Sequence, residues 1–159
     1  MQHRRSIRLP SYDYAQASAY YITLCASQRA YLFGRITAGR MALSDLGRAA
    51  EQEWLQTPQI RPNVSLDAFV FMPDHFHAVV VITERAEVAA ASGFRSPSQT
   101  LGAIVRGFKA VVTRRATTLS GTTGVVVWQR NYYEHIVRDD ADLERIRRYI
   151  AANPMRWNG

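Results

Sequence analysis

Residues 64–83 hold two strand-length stretches rich in Val, Ile and Phe, broken only at Pro73-Asp74. This predicts a β-hairpin, with strands at about Val64–Met72 and His75–Thr83 and a tight turn between them. The second stretch opens with His75-Phe76-His77. Strand alternation sends both imidazoles to one face and Phe76 to the other. The run Val79, Val80, Val81, Ile82 lacks alternation and predicts a strand covered on both faces. The histidine pair is therefore expected against packed structure. Two neutral imidazoles side by side on a strand are a start for a divalent-metal site, and the same spacing also suits a purely structural pair.

The remaining elements follow from periodicity and punctuation. Tyr20–Cys25 predicts a first strand, and Ser44 is the expected N-cap of a helix reaching about Gln56 that Pro58 and Pro62 end. Residues 84–97 read as a mobile loop. A second helix is expected from Ser98 to about Thr118, with Leu101, Ile104, Val105, Phe108 and Val112 as its apolar stripe. After the turn at 120–124, Val125–Trp128 predicts a fourth strand and Tyr132–Val137 a short extended piece. A last helix runs from Asp139 to about Asn153, its two leading aspartates suiting the helix dipole. The order gives an α+β, ferredoxin-like split βαβ fold with a four- to five-stranded antiparallel sheet and an added C-terminal helix. Residues 1–159 are expected to form a single domain, with 1–18 as a basic N-terminal arm.

Charge narrows the partner. Lys and Arg total 20 against 13 Asp and Glu, the net charge is +7, and the sequence pI is about 10.1. Lys109 is the one lysine. Arginine binds phosphate in bidentate fashion and stacks on bases, so a nucleic-acid partner is favoured. Arg106, Lys109, Arg114 and Arg115 lie mostly on the side of the second helix away from its apolar stripe. They form either a phosphate-binding strip or a solvated face. The single cysteine, Cys25, reads as a buried small hydrophobe. The N-terminus has no signal-peptide pattern and no apolar stretch reaches membrane-spanning length, which predicts a cytoplasmic protein without membrane contact.

Tyr149 and Asn153 are four apart at the edge of the last helix's buried stripe of Leu143, Ile146 and Ile150. Pro154 disfavours helical geometry at Asn153. Four segments together resemble the REP-associated tyrosine transposases, single-tyrosine members of the His–apolar–His (HUH) group. They are Arg4–Tyr14, Met72–His77, Trp128–Arg138 and Arg148–Pro154. The resemblance spans almost the whole chain. It implies cleavage and rejoining of single-stranded or hairpin DNA through a 5′-phosphotyrosine intermediate, with Tyr149 as nucleophile. It also implies one Mg²⁺ or Mn²⁺ held by His75, His77 and Asn153. A DNA partner points to Arg4, Arg5, Arg8, Arg106, Lys109, Arg114, Arg115 and Arg130 as contacts. Tyr132 and Tyr133 read as packing or base-stacking residues, and His135 as structural or DNA-adjacent. Monomer and homodimer both stay open. The competing reading is a non-catalytic ferredoxin-like module that binds single-stranded nucleic acid on its sheet.

Overall fold

The computed structural model describes residues 17–83 and 100–159. Its elements are β1 (Ala17–Cys25), β2 (Gly34–Thr37), β3 (Arg40–Leu43), α1 (Asp45–Leu55), α2 (Thr57–Ile60) and β4 (Val64–Met72). There follow β5 (His75–Thr83), α3 (Leu101–Ser120), β6 (Tyr133–Ile136) and α4 (Asp140–Ala152). The expected hairpin is β4–β5, paired from Met72 opposite His75 to Val64 opposite Ile82. The main sheet runs β4-β5-β1-β6 with every pair antiparallel. Strand β5 thus splits β1 from β4, the two strands joined through α1, as the split βαβ pattern requires.

Each face of the sheet has its own cover. Ile22, Leu24, Phe76, Ala78 and Val80 face α1 and α3, meeting Trp54, Ile104, Phe108 and Val112. Ala19, Val79 and Val81 face α4, meeting Leu143, Ile146 and Ile150. Strand β5 is consequently buried from His75 through Val81, which is why its sequence shows no alternation. Trp54 is fully buried at the centre of the larger core, 5.1 Å from both the Phe76 and Phe108 rings. Truncating a ring so placed costs about 3–5 kcal/mol.

Local chemistry sets the helix positions. The Ser44 hydroxyl accepts from Gly47 N at 3.0 Å and donates to Leu32 O at 2.7 Å, capping α1 while tying it to the preceding chain. A Cβ at Gly47 would stand 2.1 Å from the Phe33 carbonyl oxygen, so only glycine lets α1 lie this close. Thr100 and Asp139 cap α3 and α4 in the same way.

The structure departs from the sequence reading at several elements. Residues 125–128 are not a strand: Trp128 makes one isolated bridge to Ala26, beyond the end of β1. The sheet's fourth strand is Tyr133–Ile136, which runs antiparallel along Tyr20–Thr23, so the sheet has no fifth strand among the described residues. Residues 34–43 form a hairpin whose turn residues Ala38 and Gly39 have φ of 52° and 74°. Four-residue strands with weak alternation carry too little signal to read from sequence. The first strand also begins earlier, at Ala17, and the second helix begins at Leu101 rather than Ser98. Of the 1–18 arm only Ala17 and Ser18 fall within the described residues, and the 84–97 loop lies outside them.

Candidate active site

The β5 register places Thr23 opposite His77 and Cys25 opposite His75, and the β6 register places Tyr133 opposite Thr23 on its other side. Directly paired residues share a face. His75, His77, Tyr21, Thr23, Cys25 and Tyr133 therefore line the sheet face that α4 covers only in part. The two imidazoles are buried, with ring centroids 4.6 Å apart and planes at 76°.

Both rings are oriented through Nδ1. His75 Nδ1 lies 2.7 Å from Asp74 Oδ1, while Arg29 Nε donates to Asp74 Oδ2 at 2.8 Å. A carboxylate only accepts, so His75 carries its proton on Nδ1 and its lone pair on Nε2. His77 Nδ1 lies 2.8 Å from Thr23 Oγ1 and 2.9 Å from the Tyr21 hydroxyl, partners that allow the same tautomer. Burial, reinforced by His75 and Arg29, pushes the His77 pKa down to about 3. Burial also lowers His75, with Asp74 opposing it. Near neutral pH both rings are uncharged. Oriented neutral imidazoles with Nδ1 engaged by a carboxylate or hydroxyl are the donor chemistry that a divalent cation needs. Among the described residues no three of His, Cys, Asp and Glu converge as a metal site. The implied donor set, two imidazoles and the Asn153 amide, lies outside that grouping.

The turn carrying Asp74 is pinned to the end of β1. Ala26 N donates to Asp74 O at 2.8 Å, and Phe33 N donates to Pro73 O at 3.1 Å. Arg29 reaches Asp74 from a three-residue 3₁₀ turn, Ser27–Arg29, in which Gln28 and Arg29 both have φ of 54°. Non-glycine residues in that region cost about 1–3 kcal/mol each, and such strain clusters where geometry matters. Arg29 also donates to Cys25 Sγ at 2.9 Å.

Helix α4 brings Tyr149 to the same place. Its ring lies 5.5 Å from the His77 ring at 69° and remains 45% exposed, open to a ligand on its outer side. Three contacts dock the helix. Leu143, Ile146 and Ile150 cover Val79 and Val81. Arg147 grips Asp67 with Nε and a terminal nitrogen at 2.8 and 2.6 Å. Asp142 accepts from Arg138 N at 3.0 Å, sits 2.8 Å from His135 Nε2 and pairs with Arg145. Asp67 sits in the register shift between Leu66 and Phe69, a bulge that re-aims its carboxylate. Burial raises the Asp67 pKa, but bonds from Arg147 and Ala68 N overbalance it and hold it below the usual range. Asn153 is the C-cap, helical at φ −56°, ψ −47° despite Pro154. Its Nδ2 donates to Tyr149 O at 3.2 Å.

The cationic residues divide. Helix α3 covers the sheet face opposite the histidines. Arg106 and Arg114 are exposed there. Arg115 bonds Glu53 Oε1 at 2.8 Å and Gln52 Oε1 at 3.4 Å. Lys109 Nζ donates to Gln129 O at 2.9 Å and stands 5.7 Å over the Tyr132 ring, so it ties α3 to the chain before β6. Arg130 is exposed beside it. Arg4, Arg5 and Arg8 lie outside the described residues. Tyr132 and Tyr133 part as alternation requires: Tyr132 packs at the α3 side, while Tyr133 is exposed 6.0 Å from Tyr21. His135 Nε2 lies 2.8 Å from Asp142 Oδ2, which ties β6 to α4.

Arg29, Tyr21 and Thr23 belong to the site without a sequence motif. Alternation from Cys25 signals the face of Tyr21 and Thr23. For Asp74 the signal is a carboxylate adjacent to His75. Nothing local signals Arg29.

The fold and this face define a split βαβ protein with a His–apolar–His strand and a tyrosine-bearing helix docked beside it. The chain belongs to the same family as a Haemophilus influenzae protein described as uncharacterized, with 42% identity over 166 residues, 99% of this chain and 91% of that protein. No protein-family model matches. The chain has the fold of a REP-associated tyrosine transposase solved bound to a REP hairpin. The TM-score is 0.59 at 17% identity, over 93% of this chain and 73% of that one. The expected likeness to these transposases thus holds at the level of the fold. A Deinococcus radiodurans structure aligns at a TM-score of 0.49 and 16% identity, over 91% of this chain and 95% of that one. No described helix is long and apolar enough to cross a membrane.

Proposed function

We propose that this protein is a transposase-type enzyme that cuts and rejoins single-stranded DNA next to hairpins, using Tyr149 as nucleophile. The observation that carries the reading is the Tyr149 ring, 5.5 Å from His77 on the face where His75 and His77 are neutral and oriented. The solved structure of like fold holds a REP hairpin, which supports a hairpin substrate here.

In this reading His75, His77 and Asn153 hold one Mg²⁺ or Mn²⁺. The ion would supply positive charge at the scissile phosphate. Asp74, Thr23 and Tyr21 fix the imidazoles, and burial excludes the protonated ring that would repel a cation. Tyr149 stands in from the side, its hydroxyl forming a bond to phosphorus as the bond to the 3′ oxygen breaks. The phenol releases its proton and the 3′ oxygen takes one up. A phosphotyrosine and a 3′-hydroxyl result, a step that needs no nucleotide cofactor and can reverse. With α4 docked on its own chain's sheet, this reading has Tyr149 acting in cis. A DNA substrate of this kind suits a cytoplasmic protein.

Incubation with labelled hairpin-bearing single strands and Mn²⁺, followed by denaturing gels, tests this. A covalent protein–DNA band that EDTA abolishes is expected. Tight binding with no adduct under any metal would leave a nucleic-acid-binding module instead.

A further inference from the structure

The C-terminal turn Pro154–Arg156 packs against β3 and delivers Trp157 to the open side of the histidines. The Trp157 ring lies 6.2 Å from the His75 ring and 5.6 Å from the Tyr31 ring, edge to face at 65°. Trp157 thus stands between Tyr31 and His75. Tyr31 is 58% exposed. The neighbouring segments carry only positive side-chain charge: residues 26–43 and 153–159 contain Arg29, Arg35, Arg40 and Arg156, all exposed, and no Asp or Glu. Asp74, the acidic residue beside His75, is buried and engaged by Arg29 and His75. Aromatic faces, Tyr31 exposed and Trp157 partly so, on segments that carry arginines fit one partner chemistry, an unpaired nucleotide strand. Its bases stack on the rings and its phosphates meet the guanidinium groups.

We infer that Trp157 and Tyr31 form a base-stacking subsite for unpaired nucleotides immediately beside His75, a role that rests on the nuclease reading above. The subsite is sequence-tolerant because every base presents a π face. It is distinct from the tyrosine side of the site, where Tyr149 stands 5.5 Å from His77 and Tyr133 packs edge to face on Tyr21. A strand crossing the histidines would therefore be held by aromatic rings on both sides, which sets where its backbone lies relative to Tyr149.

The tryptophans make this measurable without cleavage. Trp54 and Trp128 are buried, so a fluorescence change on ligand binding reports Trp157. Titration with a short oligothymidylate should quench that emission, and a blunt duplex of equal length should quench it far less. Trp157→Ala and Tyr31→Ala should each weaken single-strand affinity, for Trp157→Ala about tenfold to a hundredfold, while duplex affinity stays within about twofold. Trp157→Phe, which keeps a π face, should recover most of the loss. If Trp157→Ala does not fold, quenching of the wild-type protein and the Tyr31→Ala titration decide the matter. Unchanged single-strand affinity, or equal losses for single strand and duplex, overturns the subsite. Covalent capture on the same proteins separates the two claims. Quenching without any wild-type adduct sinks the nuclease reading and keeps the subsite. Adduct formation with no quenching and no affinity loss does the reverse.

Discussion

Acidifying the metal-free protein from pH 7 to pH 5 should destabilise it by about 2 kcal/mol through His77. The folded pKa is about 3, against about 6.5 in the unfolded chain. Between those values the unfolded chain binds a proton that the folded chain refuses, so stability rises with pH through this window and falls on acidification. At pH 5 the unfolded group lies about 1.5 units below its pKa. At about 1.4 kcal/mol per unit, this gives the stated loss. His75 is shifted the same way and adds to it. The carboxylates do not confuse the window. Asp67 and Asp142 are held below their ordinary pKa, so their contributions persist at pH 5 and are lost only as pH falls below about 4. Urea unfolding in EDTA at pH 7, 6 and 5 reads the effect directly. With a slope near 2 kcal/mol per molar, the midpoint should drop by about 1 M. His77→Asn should remove most of that dependence. A midpoint that does not move, or one that moves equally in His77→Asn, would refute the claim that His77 is buried neutral.

Tyr149→Phe should abolish the covalent DNA band while leaving affinity nearly unchanged, since only the hydroxyl is lost; survival of the band would send the nucleophile elsewhere. Asp74→Asn should weaken Mn²⁺ binding about 10- to 100-fold by calorimetry or EPR, because the His75 tautomer loses its carboxylate partner; unchanged affinity would make Asp74 a turn residue only. Arg147→Ala leaves the Asp67 carboxylate without its guanidinium and should cost about 2 kcal/mol. It should also raise hydrogen exchange in α4 before the rest of the chain, and uniform exchange would contradict a local clamp. Neutralising exposed Arg106 and Arg114 should lower the salt slope of DNA binding by about one for each phosphate no longer paired, whereas Arg115→Gln should act mainly on stability. Equal slopes in all variants would place the phosphates elsewhere.

Spacing along the chain was enough for the β4–β5 hairpin, the shared face of His75 and His77, the capped start of α1 and the aspartate-led start of α4. These depend on spacing within one element, where the period of a strand or helix fixes which side chains share a side. The sequence also carried the order of elements that makes a split βαβ sheet. Val125–Trp128 shows where local reading stops: its β-branched residues favour extension, but sheet membership needs a free edge in register. Tyr133–Ile136 occupies that edge along β1. The same limit applies to the site. That Asp74 orients His75 depends on Arg29 arriving through a strained turn 45 residues earlier in the chain. That Tyr149 meets His77 depends on Arg147 finding Asp67 in a bulge 80 residues away. Such pairings depend on how the two layers pack over one sheet, and burial then sets the His77 charge state. Only the tertiary structure brings those groups together, because desolvation and ion pairing act through space while the sequence records only neighbours along the chain.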